Sequence, residues 1–154
     1  MPNAQRGFSL IELLIVVAII LIIAAIAIPN FLHSKIAANQ ASAVGSMRSL
    51  NTACVSYSTS YGQFPSALTN LGPVGSGTAS STSADLIDSV LAAGQKSGYT
   101  FAFTAGGSNQ SYSITATPIT AATTGQNMYY TDQSGVIRVD TSGAGASASS
   151  TPIG

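Results

Sequence analysis

The feature that most constrains this 154-residue chain is an apolar run near its start. The run opens at Phe8, closes at Ile28, and is interrupted by a single charge, Glu12. Its length matches what a helix needs to cross a bilayer, roughly 20 residues at about 1.5 Å rise each. Hydrocarbon offers no water to the backbone, so such a run is expected to be helical. A carboxylate inside it costs on the order of 3 kcal/mol at mid-bilayer on insertion scales, which makes Glu12 a candidate functional group.

The order of residues around that charge is specific. Gly7-Phe8-Ser9-Leu10-Ile11-Glu12-Leu13 follows a short segment ending in Arg6, and Pro29 stands just past the run. This pattern resembles the processing and methylation motif of the type IV pilins and the pseudopilins of type II secretion. The resemblance covers about the first thirty residues, with Leu21 where the family often has a glycine. It implies a leader, residues 1–7, cut after Gly7 by a prepilin peptidase that methylates the new amine of Phe8. It implies that Glu12 and Phe8 act together in assembly, and that Pro29 kinks the helix. The implied partners are copies of the chain in a helical homopolymer, the assembly platform with its ATPases, and the inner membrane before assembly. The implied location is a single-pass inner-membrane precursor and then an extracellular pilus or periplasmic pseudopilus. No cofactor is implied.

A secretory signal peptide is the competing reading of this end, with Ala25-Ile26-Ala27 as a small-x-small cut site. Against it, the run exceeds the usual roughly 7–15 residues and contains Glu12. Charge does not set the orientation. Arg6 flanks one side, and Lys35 and Arg48 the other, so the count leans away from the cytoplasmic N-terminus that the resemblance implies.

After Pro29 the pattern turns amphipathic. Ala43, Met47, Leu50, Cys54, Tyr57 and Tyr61 follow at spacings of four and three, which puts them on one helical stripe. Ser42, Ser46, Arg48, Ser49, Thr52 and Ser56 fall mostly elsewhere. The helix is expected to run to Tyr61, with Gly62 and Pro65 stopping it. The expected plan is therefore a membrane or filament-core segment at 8–28, an amphipathic half at 29–61, and a connecting region at 62–98. In that region Thr82 and Asp85 suggest a capping box for a short helix bearing Leu86, Ile87, Val90 and Leu91, ended by Gly94.

Residues 99–140 alternate with period two in four stretches. These begin at Tyr99, Ser111, Asn127 and Gly135, with turns at Gly106-Gly107-Ser108-Asn109 and Asp132-Gln133-Ser134-Gly135. The fold class is α+β, a long N-terminal helix packed on a four-stranded antiparallel sheet. The resemblance implies the same pilin-like arrangement. The Ser/Ala/Gly-rich tail, 141–154, is expected to be loosely held.

Composition narrows the function. Charged residues are 6% of the chain and the formal net charge is 0; loss of Arg6 with a leader would leave four basic side chains against five acidic. No basic patch suggests nucleic acid. One cysteine forbids an intramolecular disulfide, so the cysteine-closed C-terminal loop of many pilins cannot form here. Cys54 reads as a small buried hydrophobe. The only histidine, His33, has no acidic neighbour in sequence to suggest a triad or metal site. Asp132, Ser134 and Asp140 have oxygen ligands that could serve calcium, but turn chemistry explains Asp132 equally well, and the Asp-Pro-Trp-Gly segment of calcium-binding pseudopilins is absent. Aromatics such as Phe31, Tyr57 and Tyr61 are read as packing groups before any electron path. No constellation resembles an active site or a metal site. The expected function is structural: a pilin polymerised into a surface filament for adhesion or motility. The alternatives are a type II secretion pseudopilin and a minor pilin serving as a binding module.

Overall fold

The computed structural model describes residues 8–153, so the expected leader, residues 1–7 with Gly7, lies outside the described residues. The chain divides into two units between Lys35 and Ile36. Helix α1, Leu10–Tyr61, supplies all the regular structure of the first unit and the opening element of the second.

From Leu10 to Ile28 α1 is built from leucine, isoleucine, valine and alanine apart from Glu12, with no glycine to loosen it. Pro29 lies within the helix and has no N–H to give the carbonyl of Ala25.

In the second unit the three-four spacing of α1 becomes a buried stripe. Ala43, Met47, Leu50, Cys54 and Tyr57 are buried, and Tyr61 packs partly against them. Ser46 is buried as well, contrary to its expected place off the stripe. It lies three residues from Ala43 and four from Leu50, and its small side chain fits the stripe's margin. Exposed hydroxyls bond back to their own helix, Ser49 to the Gly45 carbonyl and Thr52 to that of Arg48, so a serine-rich face stays helical. The helix ends where Gly62 takes φ +74° and donates to the Ser58 carbonyl at 2.8 Å, a left-handed cap that favours glycine.

The connecting region contains a 3-10 turn, Leu68–Leu71, and one α turn, α2, Ser89–Ala92. The expected cap at Thr82 and Asp85 is not used. Asp88 is the N-cap, accepting from Leu91 N at 2.9 Å and from Lys96 Nζ at 2.8 Å. With one turn only, α2 buries Leu91 and leaves Val90 exposed. Leu86 and Ile87 precede it, and Gly94 follows, donating to the Leu91 carbonyl.

The sheet is an antiparallel meander of six strands in chain order: β1 Gln95–Lys96, β2 Tyr99–Ala105, β3 Tyr112–Pro118, β4 Met128–Asp132, β5 Arg138–Asp140 and β6 Thr151–Pro152. The expected count of four is thus corrected to six. The added strands, β1 and β6, have two residues each, too short to show a period. In β2 to β4 the alternation holds: Tyr99, Phe101, Tyr112, Ile114, Ala116, Tyr129 and Thr131 face the core. β5 is shorter than expected because Gly135 and the two residues after it complete the turn before pairing starts. The tail is also corrected. It is organised by Asp140 and returns as β6 beside β5.

Buried apolar side chains of α1 and the sheet, with Leu68, Leu71 and Leu91, form one core. The hydroxyls of Thr131, Tyr99 and Tyr112, which lie in it, are hydrogen-bonded. Asn51 reaches from α1 toward the sheet, accepting from Tyr112 Oη at 3.0 Å and donating to Thr131 Oγ1 at 2.9 Å and the Gly135 carbonyl at 3.2 Å. Nothing in the spacing of the sequence had singled out Asn51.

Candidate functional site

The residues that the motif singles out gather at the start of α1. Ser9 occupies the N-cap, its carbonyl accepting from Leu13 N at 3.3 Å. Three residues on, Glu12 turns its carboxylate back and accepts from Ser9 N at 2.9 Å. This is the acidic half of a capping box, which satisfies one of the four amides a helix leaves open at its start. The Ser-x-x-Glu signature of that box stands in the sequence at Ser9 and Glu12. Phe8 is exposed at 78%, one residue before that cap. The expected pairing of Glu12 with a Phe8 amine would need a free Phe8 nitrogen.

Below the cap, every large apolar side chain from Phe8 to Leu32 is between 46% and 80% exposed. The helix is long and apolar enough to cross a membrane. Surface of this extent is far larger than a soluble monomer tolerates and marks a membrane or protein contact. Pro29 and His33 are exposed on the same helix.

The other candidates are engaged locally. Cys54 is fully buried, and burial pushes its thiol up to about 12, so no thiolate is available near neutral pH. Burial also raises the phenols of Tyr99, to about 12, and of Tyr112. Asp132 accepts from Ser134 N at 2.9 Å, while Asp140 accepts from Ser142 N, Ser142 Oγ and Gly145 N. Hydrogen bonds from Ser142 and the backbone hold the Asp140 carboxyl down at about 2. The two aspartates serve separate turns, and among the described residues no group of three or more His, Cys, Asp or Glu is placed to hold a metal.

Comparison with known proteins bears on the same N-terminal stretch. Residues 2–28 match the family described as the prokaryotic N-terminal methylation motif. The chain is 53% identical over 53 residues to the type IV major pilin protein PilA of Myxococcus xanthus, 34% of this chain and 24% of that one. It is 52% identical over 59 residues to a type IV major fimbrial protein FimA of Dichelobacter nodosus, 36% of this chain and 37% of that one. The matches therefore span well under half the length of these curated relatives. No solved structure matches the chain. The resemblance carried by Gly7, Phe8 and Glu12 falls on the stretch these matches cover, and residues 2–28 carry the prokaryotic N-terminal methylation motif.

Proposed function

We propose that this chain is a type IV pilin, a structural subunit held in the inner membrane by residues 8–28 and then polymerised into a surface filament. One observation carries the reading: an exposed apolar helix half, with Glu12 capping its first turn, lies under the methylation motif. In the precursor, lipid covers that surface; in the filament, the same surface of neighbouring subunits would cover it. The second unit, with its own core, would face outward. Similarity to a major pilin and to a major fimbrial protein supports this reading.

Glu12 supplies the step between the two states. Before cleavage the Phe8 nitrogen is an uncharged amide, and the carboxylate is occupied by Ser9 N. Cutting after Gly7 makes it an amine with an unperturbed pKa near 8, and methylation keeps it protonatable. Phe8 lies one residue before the cap and Glu12 in the first turn of the helix, four residues on. In apolar surroundings a carboxylate gains most from a nearby positive partner. The new amine is that partner, from the same subunit or from one already in the filament. The prepilin peptidase, the platform and its ATPases belong to this reading as the machinery that cuts and moves the subunit.

The test is the mature N-terminus. Intact mass and N-terminal sequencing of sheared surface material should show a chain beginning at N-methyl-Phe8. A chain beginning at Ile28 would establish a signal peptide and remove the anchor.

A further inference from the structure

The sheet's last edge is closed by a segment with almost nothing to bury. With a single cysteine, the chain has no disulfide to hold that end. Three kinds of contact act there. Asp140 gathers the turn by accepting from Ser142 N at 3.0 Å, Ser142 Oγ at 2.7 Å and Gly145 N at 3.0 Å. Gly145 sits at φ +116°, where a side chain would be strained, so the last of these bonds depends on glycine. Arg138 Nη1 then donates to the Ser150 carbonyl at 3.2 Å across the loop. Finally, Ile153 N donates to the Ile137 carbonyl at 2.9 Å, and the partly buried Ile153 side chain packs against the core.

We infer that residues 140–153 form a non-covalent strap that covers the open edge of β5 and detaches as a unit before the rest of the core unfolds. The strap's ladder is only two residue pairs, Arg138 with Pro152 and Val139 with Thr151, and both β6 residues are exposed. Arg138 Nε is buried without a partner, a cost that opening would relieve by returning it to water. The rest of the sheet is held differently: β2 and β3 pair over seven residues, with Ile114 fully buried. A short, exposed ladder tied mainly by turns belongs to the low-stability end of a fold. Closed, it serves as an edge cover, since a bare β5 would present unpaired backbone to other chains, and Pro152 offers no N–H to extend the sheet further.

The inference does not depend on polymerisation, and it is tested on the full chain in detergent micelles by hydrogen exchange with mass-spectrometric readout. Asp140→Ala, and separately a chain ending at Ser150, should speed exchange at residues 137–140 by about tenfold or more while β2 and β3 keep their protection. Val139→Cys with Thr151→Cys tests closure directly, because directly paired positions lie within disulfide reach. Oxidised, this pair should restore slow exchange in the Asp140→Ala background; reduced, it should not. Unchanged exchange at 137–140 in both opened variants would overturn the strap. Loss of protection throughout β2 and β3 would also overturn it, by making the segment inseparable from the core. So would failure of the oxidised pair to restore slow exchange.

Discussion

The two parts of α1 share one backbone conformation and differ in everything their side chains meet. From residue 36 to 61, apolar groups recur at three and four and find a core built by the chain's own strands. From 10 to 32, apolar groups surround the helix and are exposed. Helicity alone therefore says little about stability. A stripe is completed within the chain, whereas an all-round apolar surface must be completed by lipid or by other subunits. The serines mark the contrast: apart from the buried Ser46 they lie off the stripe of 36–61, and 10–28 has none.

The largest effect should come from breaking the stripe. In a fragment lacking residues through Ile28, Leu50→Asp places an unpaired charge where the side chain is fully buried. Such a change costs on the order of 4 kcal/mol or more, enough to unfold a marginal domain. Circular dichroism should show a soluble, cooperatively melting parent and an unfolded variant. If both melt alike, the stripe does not face the core.

On the other half, no substitution of similar size should disturb folding, and the damage should appear in assembly. Glu12→Val is expected to leave insertion intact and to leave few or no fibres, with cleaved subunit accumulating in the inner membrane. Electron microscopy and immunoblotting of membrane fractions check this. Abundant normal filaments would mean that apolar packing alone sets the register.

A smaller effect separates packing from polar pairing within the second unit. Asn51→Ala strands the Tyr112 and Thr131 hydroxyls, at a cost of about 1–3 kcal/mol. Chemical denaturation of the fragment measures it. Tyr112→Phe, which removes only one partner, should cost less.

The smallest effect is acid sensitivity. The Asp140 carboxyl is lowered from 3.8 to about 2 in the folded chain. Its contribution is therefore present above the unfolded value and is lost as pH falls through about 2. Asp88 and Asp132 are lowered too and act with the same sign. The fragment's melting temperature should fall between pH 4 and 2, and Asp140→Asn should flatten part of that fall. An identical pH profile in the variant would show that the turn at Asp140 adds nothing to stability.

Legibility in the sequence followed the length of each pattern. Ala43 to Tyr57 form a stripe of several turns, and β2, β3 and β4 are long enough to alternate visibly. Both could be read before any coordinates, as could the charged break at Glu12. The two-residue strands β1 and β6 offered no period. Thr82 with Asp85 had the spacing of a cap, yet Asp88 took the role, because Lys96 and Leu91 N reach it in the folded chain. Ser46 looked like a surface residue, and its burial followed from what packs alongside it.

The sequence by itself determined that the apolar side chains of residues 8–28 need a cover other than water, that Glu12 stands four residues after Phe8 at the head of that run, and that one side of 43–61 must be covered. These are local facts, set by spacing and by the chemistry of single side chains. Only the tertiary structure decided that Asn51 ties helix to sheet, that the tail returns as β6, and that Asp140 spends its charge on a turn. Each joins residues far apart in the chain, or depends on a backbone turn that forms only once its neighbours are in place. No periodicity records a contact of that kind.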